Sequence, residues 1–131
     1  MRYLVEGDFG PAVGFVKLRT LIIVVEDDDR VRALVEDLLL DRGYDVITAR
    51  NGAEGLSQIQ REPCLSLLIT DIRMPDMSGI ELADLATLHR PGLRVILISG
   101  YFVSRQVERR FLRKPFRLRD LEAAVRAELS A

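Results

Sequence analysis

Leu21-Ile-Ile-Val-Val-Glu-Asp-Asp-Asp29 decides the fold. Its first five residues form a continuous apolar run, which fits a strand covered on both faces. Four acids follow at once. Reading outward, Val31, Leu34, Val35, Leu38 and Leu39 recur at helical spacing until Gly43 stops the helix. Tyr44 to Ala49 reads as a second strand, Asn51-Gly52 as a turn, and Ala53 to Arg61 as a short helix ended by Pro63. Leu65 to Thr70 is a third strand. Ile80, Leu82, Ala83, Leu85, Ala86 and Leu88 fill a third helix closed by Pro91-Gly92. Val95 to Ser99 is a fourth strand and Arg110 to Arg113 a short, weakly apolar fifth, expected at an edge. Leu118, Leu121, Ala124, Val125 and Leu129 mark the last helix, with Asp120 near its start to suit the helix dipole.

Strands alternating with helices predict an α/β protein, a parallel sheet with helices on both faces. Right-handed crossovers leave few topologies. In such open sheets, chemistry gathers beyond the carboxyl ends of the strands. Glu26 and Asp27, Asp71, Ser99 and Lys114 all fall at those ends.

The 131 residues fit one domain, and 48% hydrophobic with 30% charged residues is ordinary for a soluble globular chain. A net charge of -1 gives no pull toward nucleic acid or acidic membranes. A single cysteine, Cys64, points to a reducing compartment and, at the entrance to an apolar run, is expected buried. Glu6 and Asp8 interrupt the N-terminal stretch, so it does not read as a signal peptide. No segment is long enough to span a bilayer, and the expected location is the cytoplasm. Residues 1–19 combine dense glycine with Tyr3, Phe9, Phe15 and Val16 and read as an N-terminal extension to a domain at 20–131.

Crowded carboxylates repel, and a divalent cation is the usual relief. Glu26 and Asp27 are nearest the strand and can reach Mg²⁺, whereas Asp28 or Asp29 is better placed to cap the helix. Asp71, facing such an ion, is a candidate nucleophile toward a phosphoryl group. Pro75 and Gly79 shape a fixed loop in which the Arg73 carbonyl can turn toward the metal. Ser99 offers a hydroxyl to a phosphoryl oxygen, and Gly100 leaves space for that group. Lysine occurs only at Lys17 and Lys114 in a chain with 19 Lys+Arg, so the Lys114 ammonium calls for a specific role: balancing the acids and later pairing with phosphate.

Val24-Val-Glu-Asp27, Leu68-Ile-Thr-Asp-Ile-Arg-Met-Pro-Asp-Met-Ser-Gly79, Val95-Ile-Leu-Ile-Ser-Gly100 and Lys114-Pro-Phe116 together resemble the receiver domain of two-component response regulators. The likeness covers roughly residues 20 to 130. It implies a flavodoxin-like three-layer sandwich, a five-stranded parallel sheet of order 2-1-3-4-5. By the same resemblance Asp71 is the phosphoacceptor, Asp27 a direct Mg²⁺ ligand, Glu26 its acidic neighbour acting partly through water, and Arg73 the carbonyl ligand. Ser99 takes the switch-hydroxyl position, Lys114 the phosphate-pairing position and Phe111 the aromatic switch position. The Lys114–Pro115 bond is implied to be cis.

The chain departs from the family between Ser99 and Lys114, where it is about two helical turns short of a full fourth helix. In this it is most similar to a subset of single-domain receivers. Arg73 and Tyr101 flank the phosphate site and are expected to obstruct water. Arg105, Arg109, Arg110, Arg113, Arg117 and Arg119 concentrate positive charge near the altered region, a solvated face or a dock for an acidic protein. Apolar residues of the extension are expected to cover surface that the short helix exposes, within one chain or across a homodimer.

The resemblance implies a phosphoprotein in a two-component or phosphorelay system, modified by a sensor histidine kinase or histidine phosphotransfer protein. Such a protein catalyses only its own phosphorylation and dephosphorylation. The chain ends just after the last helix, so no DNA-binding output domain is expected and the output is contact with a protein target or phosphorelay. A phosphohydrolase with an aspartyl nucleophile would want a second acid two positions on, where Arg73 stands. The remaining alternative is a receiver-like interaction module that is never phosphorylated.

Overall fold

Strict period-two alternation divides the apolar residues of each strand between two cores, and this division builds the molecule. The structure is a computed structural model that describes residues 2–4, 18–100 and 108–131, with side chains from 19 onward. In chain order its elements are β1 (Arg2–Leu4), β2 (Leu18–Val25), α1 (Asp29–Asp41), β3 (Asp45–Ala49), α2 (Gly52–Arg61), β4 (Leu65–Asp71), α3 (Gly79–His89), β5 (Arg94–Ser99), β6 (Arg110–Arg113) and α4 (Leu118–Ser130).

Five strands are parallel in the order β3-β2-β4-β5-β6, which is 2-1-3-4-5 when counting starts at β2. Among the described residues there are four helices. This is the flavodoxin-like sandwich expected. Leu21, Ile23, Val25, Leu68, Val95 and Leu97 face one side, where they meet Ile59 of α2 and Leu82, Ala83 and Ala86 of α3. Ile22, Val24, Leu67, Ile69, Ile96 and Ile98 face the other, against Val35, Leu38 and Leu39 of α1 and Leu121 and Val125 of α4. The switch between β2 and its two neighbours opens a cleft at the carboxyl ends of the strands.

Two features lie outside the alternation. The pairing of β2 with β4 shifts after Leu21↔Leu65, so that Ile22 faces Leu67 and Ser66 is the extra residue. That bulge lets Leu65 and Leu68 serve the same core although they are three positions apart. The second is β1, which pairs antiparallel with the start of β2: Arg2↔Thr20, Tyr3↔Arg19, Leu4↔Leu18. A strand pair thus joins the N-terminal extension to the first strand of the parallel sheet, and β2 begins at Leu18 rather than Leu21. Cys64 departs from expectation too. It is free and only half-buried, because it lies in the turn before β4 rather than in the strand.

The shortened fourth helix, Tyr101 and Arg105 fall at residues 101–107, outside the described residues, as do Phe9, Phe15 and Val16. Lys114–Pro115 is cis. No described helix is long and apolar enough to cross a membrane.

Candidate metal and phosphoryl site

Each side chain of the cleft is delivered by the end of a strand. The Glu26 amide donates to the Ala49 carbonyl at 3.0 Å, so the β2–β3 ladder runs one residue past Val25 and holds the Glu26 side chain inward, 3% exposed. Asp27 is exposed beside it. Asp28 then starts α1, its carboxylate accepting the Arg30 and Val31 amides at 2.9 and 3.2 Å. Those bonds hold its carboxyl below the usual range. Arg32 reaches back from α1 to the Glu26 carbonyl at 2.9 Å and fixes the turn.

Asp71 ends β4 and is 7% exposed; Ser99 ends β5 and is 1% exposed. The Lys114 amide donates to the Ser99 carbonyl at 2.9 Å, which carries the β5–β6 ladder up to the cleft.

One oxygen from each of Glu26, Asp27 and Asp71 can lie within 4.8 Å of the others. Lys114 Nζ stands 2.5 Å from Glu26 Oε1 and 3.5 Å from Asp71 Oδ2. Burial pushes Glu26 up to about 7, against the Lys114 hydrogen bond and with help from the Asp71 charge. Burial also raises Asp71, in spite of the nearby Lys114 charge. Burial alone would lower Lys114; its bond to Glu26 and the charges of Glu26 and Asp71 outweigh that and raise it. Three acids against one ammonium are under-compensated, which is the electrostatic signature of a cation site.

The donor set fits Mg²⁺. It consists of hard carboxylate oxygens with no sulfur or imidazole, and one acid is exposed, leaving room for the waters that Mg²⁺ keeps. The cleft measures about 480 Å³ and is lined by Glu26, Asp27, Asp28, Asp71, Arg73, Met74, Pro75, Gly100 and Lys114. A larger hollow of about 700 Å³ lies around Arg94, Arg109 and Arg110 at the opposite end of β5 and β6. Arg109 and Arg110 are engaged there by Asp84 and Glu128, so two of the clustered arginines are already neutralised.

The structure therefore brings together Glu26, Asp27, Asp71 and Lys114, with Arg73 on the rim. Phe111 lies apart, half-buried against the core on the α2 and α3 side. Sequence reasoning passed over Asp76. Its carboxylate accepts the Gly52 and Ala53 amides at 3.0 and 2.8 Å, capping α2 from the loop that follows Asp71. No local spacing signals a partner 23 or 24 positions away.

Comparison with known proteins agrees with this architecture. The sequence pattern of the family described as the response regulator receiver domain matches residues 22–126. The response regulator receiver protein CpdR of Brucella abortus is 40% identical over 107 residues, covering 76% of this chain and 88% of that one. Other curated relatives are far longer, and the chain spans only 18% to 22% of several of them. A CheY-like receiver domain crystal structure from Methanospirillum hungatei superposes with a TM-score of 0.80 at 31% identity, covering 86% of this chain and 94% of that one. The response regulator TrrA of Thermotoga maritima, solved with Mg²⁺-BeF, superposes with a TM-score of 0.76 at 29% identity, covering 82% and 97%.

Proposed function

Since the chain belongs to the response regulator receiver domain family, we propose that it is a switch phosphorylated on Asp71. The observation that carries this reading is the placement of the Asp71 carboxylate beside Glu26, Asp27 and Lys114 in one cleft.

An Asp71 oxygen attacks the phosphorus of a phosphohistidine on a sensor kinase or phosphotransfer protein. The new P–O bond forms as the P–N bond breaks, and the electron pair leaves on the imidazole, which takes a proton. The product is an acyl phosphate, which water later cleaves to phosphate and the free carboxylate. Glu26, Asp27, Asp71 and the Arg73 carbonyl would hold Mg²⁺, which supplies positive charge against the incoming phosphoryl oxygens. Lys114 pairs with one of those oxygens, and the Ser99 hydroxyl donates to another. Drawing both inward shifts the population toward an active form, with half-buried Phe111 as the side chain free to repack. Apart from this self-modification the domain turns over no metabolite, and its output passes through contact with a protein target or through phosphorelay. The cytoplasm, where such donors act, is its proposed location.

Incubation with acetyl phosphate tests this. Intact-mass spectrometry should show one added phosphoryl group that requires Mg²⁺ and is absent in Asp71→Ala. A wild-type protein that never gains the group would favour a binding module that is not phosphorylated.

A further inference from the structure

The loop between Asp71 and α3 is closed at its base and anchored at its tip by different means. At the base, the Gly79 amide donates to the Ile72 carbonyl at 2.8 Å, and the Ile72 amide to the Ile98 carbonyl at 2.9 Å. A Cβ on Gly79 would come within 2.0 Å of the Asp71 carbonyl oxygen, so the two ends of the loop touch. Arg73, Met74 and Pro75, which line the acid cleft, lie between base and tip.

At the tip, both Asp76 oxygens bind the first two amides of α2. Met77 packs over Gly52 so closely that a Cβ there would meet Met77 Cγ at 2.2 Å. The next amide of α2, from Glu54, goes to the Asn51 side chain at 2.8 Å, and that of Gly55 to the Asn51 carbonyl at 3.0 Å. The three amides ahead of that first helical bond, of Gly52, Ala53 and Glu54, are thus all occupied, two of them by a residue from another segment.

We propose that Asp76 is a positioning residue for the phosphoryl site, tethering the cleft-lining segment 73–75 to the start of α2 so that it meets metal and phosphate already ordered. This rests on the phosphoacceptor reading above. Asp76 touches none of the acids and acts only by holding the loop. A preorganised backbone carbonyl binds an ion better than one that must be ordered at the moment of binding. The Asp76 carboxyl is exposed, and although desolvation opposes it, the Ala53 and Gly52 amide bonds hold it below its usual range. Its ionised form is therefore the one that grips the helix.

Asp76→Ala, Asp76→Asn and Asn51→Ala separate loop positioning from simple helix capping. Asn51→Ala removes the other side-chain cap of α2 but leaves the tether in place. In metal-free protein, amide hydrogen exchange across residues 73–78 should rise in Asp76→Ala and stay near wild type in Asn51→Ala. By calorimetric titration, Asp76→Ala should weaken Mg²⁺ binding by about 10-fold, the lower end of what is ordinary for groups that support metal ligands. Phosphoryl uptake from acetyl phosphate should slow in parallel. Asp76→Asn keeps one acceptor and should restore most of both.

Equal effects in Asp76→Ala and Asn51→Ala, or unchanged exchange at 73–78 in Asp76→Ala, would overturn the inference alone. A wild-type protein that binds no Mg²⁺ and accepts no phosphoryl group would overturn the phosphoacceptor reading, and this inference with it.

Discussion

Lys114 Nζ lies 2.5 Å from Glu26 Oε1, joining residues 88 positions apart in a cleft where Glu26 is nearly sealed from solvent. The pair is asymmetric, since the lysine side chain keeps 22% of its exposure and the glutamate 4%. Removing the ammonium leaves two buried acids with no cation. Lys114→Met should therefore lower the stability of the metal-free protein by about 2–4 kcal/mol, a little under the cost of breaking a fully buried pair from one side because the lysine is part-exposed. Added Mg²⁺ should recover part of the loss. Urea denaturation with and without Mg²⁺ measures both, and a loss under about 0.5 kcal/mol would place the pair among ordinary surface bridges.

The tether formed by Asp76 has a pH signature. Amide hydrogen bonds lower its carboxyl in the folded state below the ordinary 3.8. The unfolded chain therefore binds the proton more readily, and the stabilisation from its charge is complete above pH 3.8. It is lost as pH falls through the lower folded value. Wild type should exceed Asp76→Asn by a constant margin from pH 5 to 7, and the gap should close only below pH 3.8. A gap that narrows between pH 5 and 7 would contradict this.

Two glycines give opposite expectations. The Cβ of Gly79→Ala would fall 2.0 Å from the Asp71 carbonyl oxygen, a backbone atom that cannot step aside cheaply. Overpacking of this kind costs about 1–3 kcal/mol and should displace Asp71 enough to slow phosphoryl uptake. At Gly92 nothing lies within 4 Å and φ is not left-handed. Gly92→Ala should be neutral or stabilising by about 0.4–1 kcal/mol, through the unfolded state. Thermal melts compare the two directly.

Much of this was legible because the signals were local or terminal. Runs such as Leu21–Val25 mark strands buried on both faces, and a residue following such a run must emerge at the sheet's end, which placed Glu26, Asp27, Asp71 and Lys114 in one neighbourhood. Asp28 was recognisable as a cap because its partners are two and three positions ahead. The unforeseen features depend on distant segments. Asp76 reaches back to Gly52, β1 needs Leu18–Thr20, and the register shift at Ser66 exists only relative to β2. Cys64 was misjudged by a single position, since Leu65 is buried and its neighbour is not.

The bulge at Ser66 matters beyond its own neighbourhood. Side chains on a strand alternate sides one by one, so an extra residue near the beginning of β4 would reverse Leu65 against every later member unless the strand absorbed it, and the bulge at Ser66 does so. Excising Ser66 would leave Leu65 and Leu68 two positions apart, so that plain alternation would keep both in their core and Asp71 in its present direction. The direction of the nucleophile is thus insulated from a change of length at the far end of its own strand.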